Sequence, residues 1–491
     1  VPAAGRDDGP ADSPAAGEPG ARFDRVKQQV GLVAGPVLAL LAYLASSDSV
    51  APALPALMAL CVTWWLTEAL PAAVVALLAA CGAVLLGLAT PKQAFGAFGS
   101  PTLFLFVGSF FIAEAMRIHG LGERLAHALA RRARGRLSML IALSIAAFVM
   151  SMFMSNAAGT AILLPLALSA ARGVDRRYQA ALVLAVAWSA SIGGLGTPVG
   201  TPPNLIGLAE LSKRGVDLDF LEWMAIGVPM GALMVAGMIL VLAPMFGVRR
   251  GQALPRPETR RVVAWHRGER AVVVAFAVAI IGWLGPSVLR AIAPGTALGG
   301  WLETHLTEEV VALLAGCLLF VLPAGTPAAP RPALTWAEGT QIEWGVILLF
   351  GGGMMLGDLA RTTGLADEWG RALMSATGSS SLWGIVALCT GVSIVLSEAT
   401  SNTATATLMA PLAGSLAHAA GVPVVPAVMG ATLGASFGFM MPISTAPNAL
   451  AYATGRVRVG EMMRTGIIFD VVGFVLIMAA LRVMAPLMGW T

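Results

Sequence analysis

The 491-residue chain is 57% hydrophobic and only 12% charged, with a mean hydropathy of +0.79 and a formal charge of +4. Soluble domains carry roughly 25% charged residues, so this composition excludes a water-soluble fold and points to the bilayer. The small positive excess lies mostly in short loops, where it orients the chain in a membrane and gives no footprint for nucleic acid.

Residues 1–28 are rich in Ala, Gly, Pro and charged residues and lack an apolar core, which predicts a disordered cytoplasmic tail and no signal peptide. Apolar runs at 30–47, 51–70 and 73–90 follow. Each approaches the ~20 residues that a helix needs to cross a bilayer. The basic run from Arg124 to Arg136 predicts an amphipathic cytoplasmic arm on anionic lipid.

Between Arg131, Arg132, Arg134 and Arg136 on one side and Arg172, Arg176 and Arg177 on the other lies an apolar block, 137–171. It is too long for one simple span and suits two half-crossings, so a re-entrant hairpin is expected with Ser155-Asn156 at its tip. Two full spans with a tight turn would also return both arginine clusters to one side, so charge alone leaves both readings open. The tip composition favours the hairpin. At membrane depth, SNAAGT supplies polar oxygens and flexible backbone, which hydrocarbon tolerates only beside a polar cavity or inside protein.

A span from Ala180 to about Glu210 then leads outward, and another, 228–247, returns to an arginine-rich loop running from Arg249 to Arg270. Spans 271–289 and 309–323 go out and back, with Glu303, Glu308 and Glu309 outside. The span of Phe350 leads outward and the block 383–417 forms an outer hairpin with Ser401-Asn402-Thr403 at its tip. A broken helix from Val424 to Tyr452 and a last span at 463–486 complete the chain. The expected fold class is an all-α polytopic membrane protein with 11 transmembrane helices plus two re-entrant hairpins. Its N-terminus is cytoplasmic and its C-terminus outside, in the cell membrane, or the inner membrane of a Gram-negative cell. Cys61, Cys81, Cys317 and Cys389 fall in spans without metal-ligand spacing, and the five histidines are scattered.

Landmarks in the first half recur in the second. Phe106 and Phe350 are 244 residues apart, Asn156 and Asn402 are 246 apart, and Asn204 and Asn448 are 244 apart. Their opposite parity across the spans predicts inverted-topology repeats. GTPVGTPPN and MPISTAPN, which end at Asn204 and Asn448, interrupt apolar helices at membrane depth. Proline removes an amide donor and clashes with the preceding turn, so such breaks expose carbonyls for cations and helix amino ends for anions. Two tips facing two breaks predict a central anion site beside two cation sites. No catalytic pair or nucleotide-binding loop accompanies them, so a transporter is expected and no enzyme.

The SNA and SNT tips, GTPPN, TAPN and Trp64-Trp65-Leu66-Thr67-Glu68-Ala69-Leu70-Pro71 resemble the divalent anion/sodium symporter family over about residues 30–490. The resemblance implies an elevator-type transporter, usually a homodimer, with no cofactor and with sodium ions as coupling ions. It implies a scaffold domain of 30–95 and 224–342 with the final helix, 463–486. The transport domain would be 101–215, with hairpin 137–171, and 344–455, with hairpin 383–417. The first sodium site would fall on Ser151, Ser155, Asn156 and the Gly200 carbonyl, and the second on Ser397, Thr400, Asn402 and the Ser444 carbonyl. Anion contacts would be Ser155, Asn156, Ala157, Thr201, Pro202, Ser401, Asn402, Thr403, Thr445 and Ala446.

Two positions depart from the family pattern. Ala157 stands where dicarboxylate carriers often place threonine, and Ala446 where a second proline is usual. Glu398 is expected to orient hairpin backbone, or to tune cation affinity, and to need a partner at that depth. The expected function is sodium-coupled import of a divalent organic anion, a C4 dicarboxylate. Sodium-independent exchange, or carriage of sulfate or a sulfonate, is the alternative. A passive channel or an anion-sensing receptor fits less well, because the hairpin sites are blocked and inverted and the loops are short.

Overall fold

A computed structural model describes residues 19–47, 51–254, 264–326, 329–365, 368–369, 372 and 381–490. The tail expected at 1–28 lies mostly outside them. Its last part does not: 19–28 are the opening turns of α1 (Pro19–Ala45), whose apolar run continues without a break. The described residues are helical, with three isolated antiparallel bridges and no strand. Eight helices among them are long and apolar enough to cross a membrane, and five shorter apolar helices accompany them.

The first part holds α1, α2 (Ala53–Thr67), α3 (Ala72–Leu85), α4 (Pro91–Gly96) and α5 (Pro101–Ile118). Glu68 caps α2 in the left-handed region at φ 51° and pairs with Lys27 at 3.1 Å, which ties α1 to the WWLTEALP turn. The basic run forms α6 (Leu121–Ala130), and its Arg124 binds both oxygens of Glu269 at 2.8 Å.

The block 137–171 folds as α7 (Arg136–Ser151) and α8 (Asn156–Ala170), two helices of 16 and 15 residues joined by four residues. The next stretch is α9 (Arg176–Gly193), a 3-10 turn at 194–196, extended backbone, and α10 (Pro202–Lys213). Asp175 starts α9 by accepting the Tyr178 amide at 3.0 Å and pairs with Arg136 at 2.7 Å. The Tyr178 amide, helped by Arg136, holds its carboxyl below the usual carboxylate range.

α11 (Phe220–Met245), α12 (Arg267–Ile292), α13 (Ala297–His305), α14 (Glu308–Leu318) and α15 (Trp336–Gly339) lead to α16 (Trp344–Thr362). The second block repeats the first design: α17 (Leu382–Ala399) and α18 (Asn402–Ala419) form a hairpin, and α19 (Val424–Ala435) and α20 (Ala446–Ala453) form the halves of a broken helix. α21 (Val459–Leu487) ends the described chain.

α9 is the centre of the molecule, with 94% of its apolar window buried against 11% for that of α1, within 25–45. The α7–α8 hairpin lies on α9, and the α17–α18 hairpin on α19. The far halves then cross over: α10 packs on α18 and α19, and α20 packs on α8 and α9. Each broken helix therefore bridges both repeats, which brings the two tips to one place.

Several helices also pack across the boundary between the two domains that the resemblance implies. α5 and α16, grouped above with the hairpins, lie mainly on α14 and α3. α11 and α21, grouped above with the scaffold, pack on each other, α11 also on α9, and α21 also on α17 and α19. Small residues decide these contacts. A Cβ on Gly108 would lie 2.3 Å from the Ala312 backbone, so α5 and α14 touch main chain to main chain.

Candidate functional site

Four helix amino ends meet at one cavity of about 200 Å³: those of α8, α10, α18 and α20. The sequence shapes each of them locally. Ser155 and Ser401 take extended backbone and accept the Ala158 and Ala404 amides at 3.2 and 3.1 Å, so each starts a helix with its hydroxyl oxygen as the cap. Pro202 and Pro447 sit within the first two positions of α10 and α20, where a missing amide donor costs nothing. The prolines therefore open the second half of each broken helix and do not kink its first half.

An asparagine stitches each break. The Asn204 side-chain amide donates to the Gly194 and Thr197 carbonyls at 2.7 and 2.8 Å, and Asn448 donates to those of Gly438 and Met441 at 2.7 and 3.0 Å. The Thr197 and Met441 carbonyls also accept from the Gly200 and Ser444 amides, each at 3.2 Å. Those two turns present the carbonyls of Gly200 and Ser444, and the Thr197 hydroxyl locks the first against the Met152 carbonyl. Asn204 and Asn448 mark the ends of two sequence motifs, but their bonds to carbonyls ten and seven residues back become visible only in the folded turns.

The sequence-derived residues fall into two layers. Ser155, Asn156, Ala157, Thr201, Pro202, Ser401, Asn402, Thr403, Thr445 and Ala446 all line the cavity, as do Gly200 and Ser444. Ser151, Ser397 and Thr400 lie behind it and are buried. Ser151 Oγ donates to Asn156 Oδ1 at 2.6 Å, and Ser397 Oγ lies 2.7 Å from Asn402 Oδ1. Ser397 Oγ is also 2.7 Å from the Ala435 carbonyl, so one hydroxyl proton serves two oxygens. Thr400 bonds within its own hairpin, to the Leu396 carbonyl and to Thr405 at 2.9 Å.

Glu398 supports the Ser401-Asn402-Thr403 tip. Its carboxylate accepts the amides of Phe439, Met440 and Met441 at 2.5, 2.8 and 3.2 Å and the Ser444 hydroxyl at 2.6 Å. Sequence reasoning missed several walls of the cavity. Ser109, Phe110 and Ala113 come from α5, and Glu343 and Val346 from the start of α16. Glu343 is the one charged side chain among the described residues lining the cavity, and it is exposed. The IEW run that carries it shows no motif.

A larger cavity, about 540 Å³, lies away from the tips between α1, α2, α16 and α18. Its walls are mainly apolar, and several of its charged groups pair with one another: Lys213 with Asp358 at 3.0 Å, and Arg214 with Glu210 at 2.6 Å. The tip cavity differs in turning polar oxygens and helix amino ends inward. Such ends attract anions, and clustered neutral oxygens suit hard monovalent cations.

Comparison with known proteins agrees over nearly the whole chain. A family model described as a citrate transporter, CitMHS, matches residues 62–434 and 301–490. The sodium-dependent dicarboxylate transporter SdcS of Staphylococcus saprophyticus is 30% identical, with 94% of this chain and 92% of that protein aligned. Its counterpart from Staphylococcus aureus strain USA300 is 28% identical over the same shares. Among solved structures, the Alcanivorax borkumensis YdaH transporter matches with a TM-score of 0.56 at 17% identity, covering 81% of this chain and 88% of its own. Neisseria gonorrhoeae MtrF matches with 0.52 at 14% identity, covering 81% and 83%. At these identities the likeness concerns the fold.

Proposed function

The chain belongs to the citrate transporter family of divalent anion/sodium symporters, and from that premise we propose that it imports a divalent organic anion, a C4 dicarboxylate, driven by sodium. It is a membrane transporter and no enzyme. The observation that carries this reading is the convergence of four helix amino ends and two Ser-Asn tips on one cavity of about 200 Å³. A carboxylate at each end of the cargo meets Ser155, Asn156 and Ala157 at one tip and Ser401, Asn402 and Thr403 at the other. Thr201, Pro202, Thr445 and Ala446 close the sides.

Sodium is cargo here. One ion binds among Ser151, Ser155, Asn156 and the Gly200 carbonyl, and a second among Ser397, Thr400, Asn402 and the Ser444 carbonyl. At the second site the one proton of Ser397 faces two oxygens at 2.7 Å, which supports this placement, because an oxygen cluster short of protons is relieved by a cation. Two monovalent charges offset a dianion without a basic side chain, and neutral ligands release the ions again.

Eleven spans and two re-entrant hairpins, with N-terminus inside and C-terminus outside, are part of the same proposal. The helices of the α7–α8 hairpin have 16 and 15 residues, and those of the α17–α18 hairpin have 18 each. Their tips meet broken helices, as irregular backbone at membrane depth requires. The loaded hairpins and broken helices, 101–215 and 344–455, slide as a transport domain against a scaffold of 30–95, 224–342 and 463–486, in a homodimer surrounded by lipid. Cross-linking α11 and α21 to α9 and α19 tests which part carries them.

Uptake of labelled succinate into proteoliposomes tests the reading, with an imposed sodium gradient and, separately, with internal anion alone. Sodium-driven accumulation is expected. Uptake indifferent to sodium and stimulated by internal anion would establish exchange instead.

A further inference from the structure

Asp470 lies within the long apolar helix α21 and is 6% exposed, and neither of its carboxyl oxygens has a hydrogen-bond partner among the described residues. Ionisable side chains inside membrane spans are rare without a partner or a function, and aspartate is too short to reach the membrane surface. Nor can α21 turn it away. A Cβ on Gly466, one turn earlier, would lie 2.6 Å from Met440 Cα, and Phe469 stacks on Trp188 with ring centroids 5.8 Å apart.

Asp470 and Glu398 line a cavity of about 330 Å³ between α17 and α21, which shares no wall with the tip cavity. Glu398 does not satisfy Asp470. Its oxygens already accept three amides and the Ser444 hydroxyl, and a second carboxylate brings like charge. No basic side chain lines the cavity among the described residues. The other walls are mainly hydrocarbon, from Ile394, Ile467 and Phe474, with exposed Val395 and Val471 at the edge.

A metal ion finds too few ligands here, because hard cations take about six oxygens or more and one free carboxyl supplies two. An amine needs one acceptor, and its hydrocarbon gains from apolar walls. Pockets for small organic ligands start near ~300 Å³ and combine apolar walls with a few polar groups in this way. We propose that the cavity binds a lipophilic amine, its nitrogen paired with the Asp470 carboxyl and its hydrocarbon body against Ile394, Ile467 and Phe474. The site goes beyond the transport reading and does not depend on the tip cavity. Pairing relieves the cost of a lone buried carboxyl, and charge-assisted hydrogen bonds are roughly twice as strong as neutral ones.

The test is thermal denaturation of the full chain in detergent with amantadine, a caged primary amine, and with adamantanol, which has the same cage and no amine. Amantadine is expected to raise the wild-type midpoint in a saturable way, and adamantanol is not. Asp470→Asn is expected to raise the amantadine concentration for half-maximal stabilisation at least about tenfold. Gly391→Leu blocks the cavity and leaves Asp470 in place: a Cβ at Gly391 meets only Phe474, at 3.7 Å, so the larger side chain fits and enters the space. It is expected to abolish the stabilisation. Amantadine that leaves the wild type unmoved overturns the inference, needs no variant to fold, and leaves Asp470 and Glu398 joined by a shared proton. Equal stabilisation by both compounds, or a half-maximal concentration unchanged in either variant, also overturns it and assigns the effect to the micelle.

Discussion

Asn204→Ala removes one of the two stitches that hold the broken helices. The side chain is fully buried and donates to two carbonyls at 2.7 and 2.8 Å. A buried hydrogen bond is worth about 1 kcal/mol net, and an acceptor left unsatisfied costs about 1–3 kcal/mol. Pairs inside membrane proteins average lower, near ~0.6 kcal/mol. Two lost bonds therefore give an expected destabilisation of about 2 kcal/mol. Thr197 still accepts the Gly200 amide at 3.2 Å, so the turn loosens without opening. Since that turn presents the Gly200 carbonyl, the sodium concentration for half-maximal uptake is expected to rise as well. Asn448→Ala should repeat both effects through Ser444. The measurements are thermal denaturation in detergent and a sodium titration of uptake. An Asn204→Ala carrier with unchanged stability and unchanged sodium dependence would refute the reasoning.

Asn402→Ala deletes a lining amide and the partner of Ser397 at 2.7 Å, so uptake should fall to background while size-exclusion chromatography still shows folded protein. Gly194→Ala would place a Cβ 2.8 Å from Asn156 Oδ1 and 3.0 Å from Thr201 Cβ, and is expected to cut uptake at least about tenfold with smaller loss of stability. Ala157→Thr adds a hydroxyl at the Ser155-Asn156 tip, and competition by succinate against sulfate should shift towards succinate; unchanged competition would show that this position does not set selectivity. Glu398→Ala orphans three backbone amides and leaves the Ser444 hydroxyl only the residue-398 carbonyl at 3.0 Å. It should fail to accumulate as folded protein, whereas Glu398→Gln, which keeps one acceptor oxygen, should yield more when monodisperse protein is compared.

Much of the architecture was readable from local rules. Hydropathy locates long helices because the bilayer sets their length. The spacing of Ser-Asn tips and Pro-Asn breaks exposes the repeat because two copies of one fold keep the same polar interruptions. Both α7–α8 and α17–α18 therefore appear within a residue or two of their expected limits. The first turns of α1 were hidden because Pro19, Arg25 and Lys27 look like tail text, although they continue into an apolar helix.

The sequence by itself determined that the chain lives in a membrane, that it is built twice, and which oxygens and helix ends stand at its polar interruptions, because each of these depends on residues adjacent in the chain. Only the tertiary structure decided what those interruptions face. The crossing of α10 onto α18 and of α20 onto α8 brings the tips together, and small side chains place α5 on α14. The place of Glu343 in the cavity wall has the same origin. That residues about 190 positions apart, such as Ser155 and Glu343, line one cavity depends on how whole helices pack, and no local pattern in either segment encodes it.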